Sequence, residues 1–132
     1  MAENNQQQNR RADFRLSLSL PINISYIDPQ TKRTRNISCH TNNLSVGGLF
    51  LITQQQLPPS LHFIIRFRNR ELPFAPQATI LMERKNDDGT YGYACKFENC
   101  SEEFEGQVRG YLFRQETLQR RARKEREEAE QS

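Results

Sequence analysis

Asn43-Leu44-Ser45-Val46-Gly47-Gly48-Leu49-Phe50 reads as the end of one strand, a short polar turn, two glycines and the start of the next strand. Paired glycines at a strand junction carry an entropic cost and give a packed core nothing in return. They suit a chain that must take φ > 0, or one whose main chain something must approach closely. Asn43 and Ser45 are two apart, so on extended backbone both side chains leave the same face. An amide, a hydroxyl and bare backbone thus share one small surface. Two readings fit this stretch. It is a tight hairpin, since Asn, Ser and Gly are ordinary turn formers, or a ledge that faces a ligand.

Outward from this stretch the pattern is that of strands. Upstream, Leu16-Ser17-Leu18-Ser19-Leu20 alternates strictly; Pro21 interrupts, and Ile22, Ile24 and Tyr26 carry the alternation to Ile27. A proline there predicts an edge or a bulge. Asp28-Pro29-Gln30 marks a turn, and a second strand runs from Thr34 to Leu44 with Ile37 and Cys39 on one face. Downstream, Leu49-Phe50-Leu51-Ile52 is a buried third strand and Leu57-Pro58-Pro59-Ser60 a loop. Leu61 to Arg68 is a fourth strand, apolar at Phe63, Ile65 and Phe67, and Phe74 to Lys85 a fifth. Asn86-Asp87-Asp88-Gly89 is a hairpin turn. Thr90 to Phe97 returns as the sixth strand, with Tyr91, Tyr93, Cys95 and Phe97 on one face.

No helical period appears before residue 100. The expected fold is all-β, a six-stranded antiparallel β-barrel closed so as to remove exposed edges, followed by a C-terminal α-helix. Ser101 supplies that helix's cap, and Glu102 and Glu103 its early acids. Phe104, Val108, Tyr111, Leu112, Gln115 and Leu118 recur at helical spacing and should lie on the barrel.

The 132 residues fit one domain. Apolar content is only 35%, because both ends are strongly polar. Residues 1–9 are Asn/Gln-rich and read as disordered, 10–118 as the domain with its arm and helix, and 119–132 as a charged, solvated helical tail that frays. No apolar run reaches membrane-spanning length, and the N-terminus lacks a secretory segment, so a cytoplasmic protein is expected. Cys39, Cys95 and Cys100 match no metal or redox spacing and read as free thiols. A net charge of +3 does not by itself argue for nucleic acid. No carboxylate pair, Cys/His pairing or nucleophile motif stands out, and His40 and His62 read as strand residues. Neither an enzyme nor a cofactor or metal is expected.

Ahead of the first strand lies Asn9-Arg10-Arg11-Ala12-Asp13-Phe14-Arg15, three arginines around one aromatic that can anchor the arm to the body. Arg11-x-x-x-Arg15 and Asn43-x-Ser45-x-x-Gly48 together resemble the two signatures of the PilZ domain, the bacterial receptor module for cyclic di-GMP. Their order, separation and surrounding strands are also similar, and Gly92-Tyr93-Ala94-Cys95-Lys96-Phe97 is similar to the family's final strand. The resemblance implies that Arg11 and Arg15 contact phosphate and guanine, with Arg10 as a further contact. Arginine suits both, through charge-assisted forks to phosphate and paired bonds to guanine O6 and N7. It implies also that Asn43 and Ser45 bond the ligand from the barrel, and that Gly47 and Gly48 let it near the backbone. Asn43 stands where the family often has aspartate; an amide offers one acceptor oxygen where a carboxylate offers two.

The implied mechanism is ordering of the arm over the barrel by ligand, read by a separate effector protein in motility, exopolysaccharide or biofilm control. Two rival readings stay open. A small basic barrel could bind single-stranded nucleic acid through Arg66, Arg68, Arg70 and the tail. Alternatively, a PilZ scaffold could bind partners without ligand.

Overall fold

The computed structural model describes residues 14–131; Arg10, Arg11 and the Asn/Gln-rich start lie outside the described residues. Among these are seven strands and one helix: β1 (Leu16–Ser17), β2 (Pro21–Ile27), β3 (Thr34–Leu44), β4 (Gly48–Thr53), β5 (His62–Phe67), β6 (Gln77–Lys85), β7 (Tyr91–Glu98) and α1 (Glu102–Gln131). All pairings are antiparallel, in the order β1-β3-β2-β5-β6-β7-β4, and β4 returns to β3. The expected six-stranded barrel is therefore closed, with two-residue β1 as an extra piece laid on β3.

β1 and β2 are the single first strand read from the alternation, broken in the middle. The cause is Thr41 on β3, fully buried. Its Oγ1 donates to the Leu18 carbonyl at 2.5 Å and accepts from the Leu20 amide at 2.9 Å, so a side chain takes over part of the ladder. The proline thus opens β2 beside an irregular stretch, which is the bulge alternative; in a closed barrel no edge exists for it to occupy. The second bulge falls in β3 opposite β4, between Thr41 and Asn43, and a third in β6, between Ile80 and Met82.

The barrel is filled by inward alternating residues, among them Ile22, Ile24, Leu44, Leu51, Ile65, Ala78 and Tyr93, all essentially solvent-free. At one end α1 closes it. Ser101 caps the helix as expected, its Oγ accepting from the Phe104 amide at 3.1 Å, and Phe104, Val108, Tyr111 and Leu112 are buried. Phe104 meets Phe97 and Phe74 edge to face at centroid distances of 5.2 and 5.3 Å. Such pairs contribute about 1 kcal/mol each beyond area burial. The buried stripe ends at Leu112, earlier than its sequence period suggests. Leu118 is 54% exposed, although the next residue, Gln119, still donates from Nε2 to the Ser17 carbonyl at 3.0 Å. The helix itself continues to Gln131. No helix among the described residues is long and apolar enough to cross a membrane.

Candidate functional site

The turn at the centre of the sequence links β3 to β4 and is held by Ser45. The Ser45 amide and hydroxyl both donate to the Gly48 carbonyl, at 2.8 and 3.0 Å, and the Gly48 amide donates back to Ser45 Oγ at 3.1 Å. The hydroxyl is buried, and both the bond it donates and the one it accepts stay within the turn. A further bond, from the Phe97 amide to the Gly47 carbonyl at 2.9 Å, ties the turn to β7.

The two glycines do different work, and neither takes positive φ. A Cβ on Gly48 would collide with the backbone carbonyl of Cys95, so here the main chain that approaches closely is the protein's own β7. Gly47 is exposed and a Cβ there would meet nothing, although its carbonyl already accepts from the Phe97 amide; a ligand could still come close to this stretch of backbone. Of the reasons to expect glycine here, close approach therefore explains Gly48 and strained dihedrals explain neither.

β1 brings the arm to this turn. Leu16 pairs with Leu44 and Ser17 with Asn43, so continuing that register sets Arg15 beside Ser45. Arg15, Asn43, Ser45, Gly47 and Gly48 then line a single cavity of about 270 Å³. Its floor is the outer wall of the barrel. Leu49, Leu51, Tyr93 and Cys95 belong to the core, so their alternating neighbours Phe50, Ala94 and Lys96 face outward. Asn43, Phe50 and Ala94 form one cross-strand row, and bulged Leu81 adds a lip. Gly92 leaves room for the Phe50 ring, over which the Arg84 guanidinium sits 4.9 Å from the centroid.

The lining carries two cations, Arg15 and Lys96, and no carboxylate. Cys95 also lines it, but burial pushes its thiol up to about 12, so it stays protonated at neutral pH. Such a wall attracts an anion, while the Asn43 amide supplies a donor and an acceptor. Of this lining the sequence reading singles out Arg15, Asn43, Ser45, Gly47 and Gly48, and misses Leu49, Phe50, Leu81, Ala94, Cys95 and Lys96. Lys96 could have been found. It sits on the outward alternation of β7, two residues from Ala94 and on the opposite face from Tyr93, Cys95 and Phe97.

The PilZ domain family model matches residues 9–114, and the chain belongs to that family. No curated protein matches it in sequence. Among solved structures it resembles YcgR from Escherichia coli in complex with c-di-GMP, at 18% identity and TM-score 0.63 over 88% of this chain and 49% of YcgR. The PilZ domain of YcgR with c-di-GMP matches at 20% identity and TM-score 0.58, covering 86% of this chain and 95% of that domain. The Bacillus subtilis inhibitor of motility MotI/DgrA matches at 18% identity and TM-score 0.61, over 80% of this chain and 51% of its own. The chain thus spans about half the length of the longer relatives and nearly all of the isolated domain.

Proposed function

We propose that this PilZ domain is a receptor for cyclic di-GMP, which it binds in the cavity on the β3–β4–β7 wall. The observation that carries the reading is the convergence of Arg15 with Asn43, Ser45, Gly47 and Gly48 on one cavity, beside Lys96 and without a carboxylate in the lining. Arg15 forks to a phosphate or to guanine O6 and N7, and each such bidentate base contact discriminates by about 1–3 kcal/mol. Asn43 bonds a base edge or ribose. Ser45 acts mainly through the turn it closes, and exposed Gly47 offers backbone to the ligand. The cavity, at about 270 Å³, suits a base and its neighbouring phosphate; the rest of the dinucleotide is met by Arg10 and Arg11 from the arm. Ligand that bridges arm and wall favours the closed arrangement by its preference for that arrangement alone. A separate effector protein, acting in motility, exopolysaccharide or biofilm control, reads the altered surface. The function is that of a receptor rather than an enzyme.

Calorimetric titration with cyclic di-GMP, beside GTP and a short single-stranded oligonucleotide, tests this. Saturable, selective binding that disappears in Arg11→Ala and Arg15→Ala is the expected result. A well-folded protein that leaves the dinucleotide unbound rejects it, and binding of the oligonucleotide alone transfers the site to single-stranded nucleic acid.

A further inference from the structure

Back to back with the cationic cavity lies a second, apolar hollow of about 180 Å³, lined by Phe14, Val46, Arg109, Leu112, Phe113 and Glu116. Continuing the β1–β3 register two residues past its last pair would bring Phe14 to Val46, and both do line this hollow. Past Leu44 the chain is in the turn, so the linings of the two hollows, rather than strand alternation, tell which way each residue faces. On both segments the sides sort the same way: Arg15 and Ser45 line the cavity, whereas Phe14 and Val46 line the hollow. The far wall of the hollow is α1. Phe14 is 40% exposed, and Phe113 beside it 70%, so the seat is shallow.

We propose that Phe14 is a positioning residue for the arginine arm. Its ring, seated between Val46 and the Leu112–Phe113 face of α1, turns Arg15 toward the cavity and makes that helix face part of the ligand's support. The inference rests on the cyclic di-GMP reading for its consequence, though not for the seat itself. An arm held at Phe14 presents Arg15 already oriented, so binding does not have to order that part of it. Removing the ring frees the arm without touching any group that meets the ligand.

The chain contains no tryptophan, so Phe14→Trp introduces a single reporter. Its emission should be blue-shifted in the free protein and move to the red when Phe113→Ala, a change at an exposed position, is added. Emission of a fully solvated indole, indifferent to Phe113→Ala, overturns the seat. In calorimetry Phe14→Ala should weaken cyclic di-GMP roughly tenfold, with Phe14→Leu recovering most of the loss. Wild-type affinity in Phe14→Ala overturns the positioning role alone. Failure of the wild-type protein to bind overturns the ligand reading together with this consequence of it, whereas the tryptophan signal still decides the seat.

Discussion

A hollow larger than the candidate site lies elsewhere among the described residues. At the barrel end away from α1, a groove of about 770 Å³ runs between the β2–β3 turn and the Leu57–Ser60 loop, lined by Tyr26, Asp28, Arg35, Leu57, Met82 and Glu83, among others. The cavity by Arg15 has about a third of that volume. The groove, however, sets two carboxylates against its one guanidinium, and Glu83 is occupied with the Tyr93 hydroxyl, which donates to it at 3.0 Å. The smaller cavity has two cations, no carboxylate and an exposed glycine backbone. Volume says where something could fit; the sign and spacing of the polar groups say what would stay.

The hardest test of this contrast is to remove one cation from each place. Arg15→Ala should cost on the order of thousandfold in cyclic di-GMP affinity, as for the loss of a paired charge at an interface. Arg35→Ala in the groove should leave calorimetric affinity unchanged. Equal losses would erase the distinction. Next in size is Gly48→Ala. The added methyl has backbone in its way, and thermal unfolding should show a loss of about 2–3 kcal/mol. The same change at open Gly47 should be nearly silent in stability.

Ser45→Ala separates holding the turn from touching the ligand. It leaves the buried Gly48 amide without its side-chain partner and should lower stability by about 1–2 kcal/mol in denaturant titration. Were affinity to collapse while stability held, Ser45 would belong to the ligand after all. Lys96→Ala, on an exposed side chain, should weaken binding only about threefold, and most visibly at low salt.

A last prediction concerns pH. Burial raises the thiols of Cys39 and Cys95 from 9.0 to about 12, and the Tyr93 phenol from 10.0 to about 12. Each folded value lies above the unfolded one, so the stability these groups confer is whole below about pH 9 and drains away as pH climbs toward 12. The midpoint of thermal unfolding should fall gradually over that window; a midpoint flat to pH 11 would show the thiols to be solvated.

Most of this architecture was legible because closure of a small antiparallel barrel follows from strand count and period. The Thr34–Leu44 strand stands where its alternation put it. What escaped was nonlocal. Nothing near Leu18 announces that Thr41 will take its backbone bonds, and nothing near Gly48 shows the carbonyl of Cys95 waiting beside it. Leu118 keeps the helical period yet stays exposed, while its neighbour Gln119 is the residue that reaches β1. In the candidate cavity, Arg15 stands out in the sequence by its motif, and Lys96 only once the inward and outward faces of β7 are told apart.

The length of α1 has a mechanical meaning. From Gln119, whose Nε2 still donates to the Ser17 carbonyl at 3.0 Å, to Gln131 the helix projects by roughly 18 Å at 1.5 Å per residue. A rod pivoting at the barrel magnifies what happens at its base. A tilt of about 5° beside Gln119 would swing the far tip by roughly 1.6 Å over that length, a stroke about as long as a carbon–carbon bond.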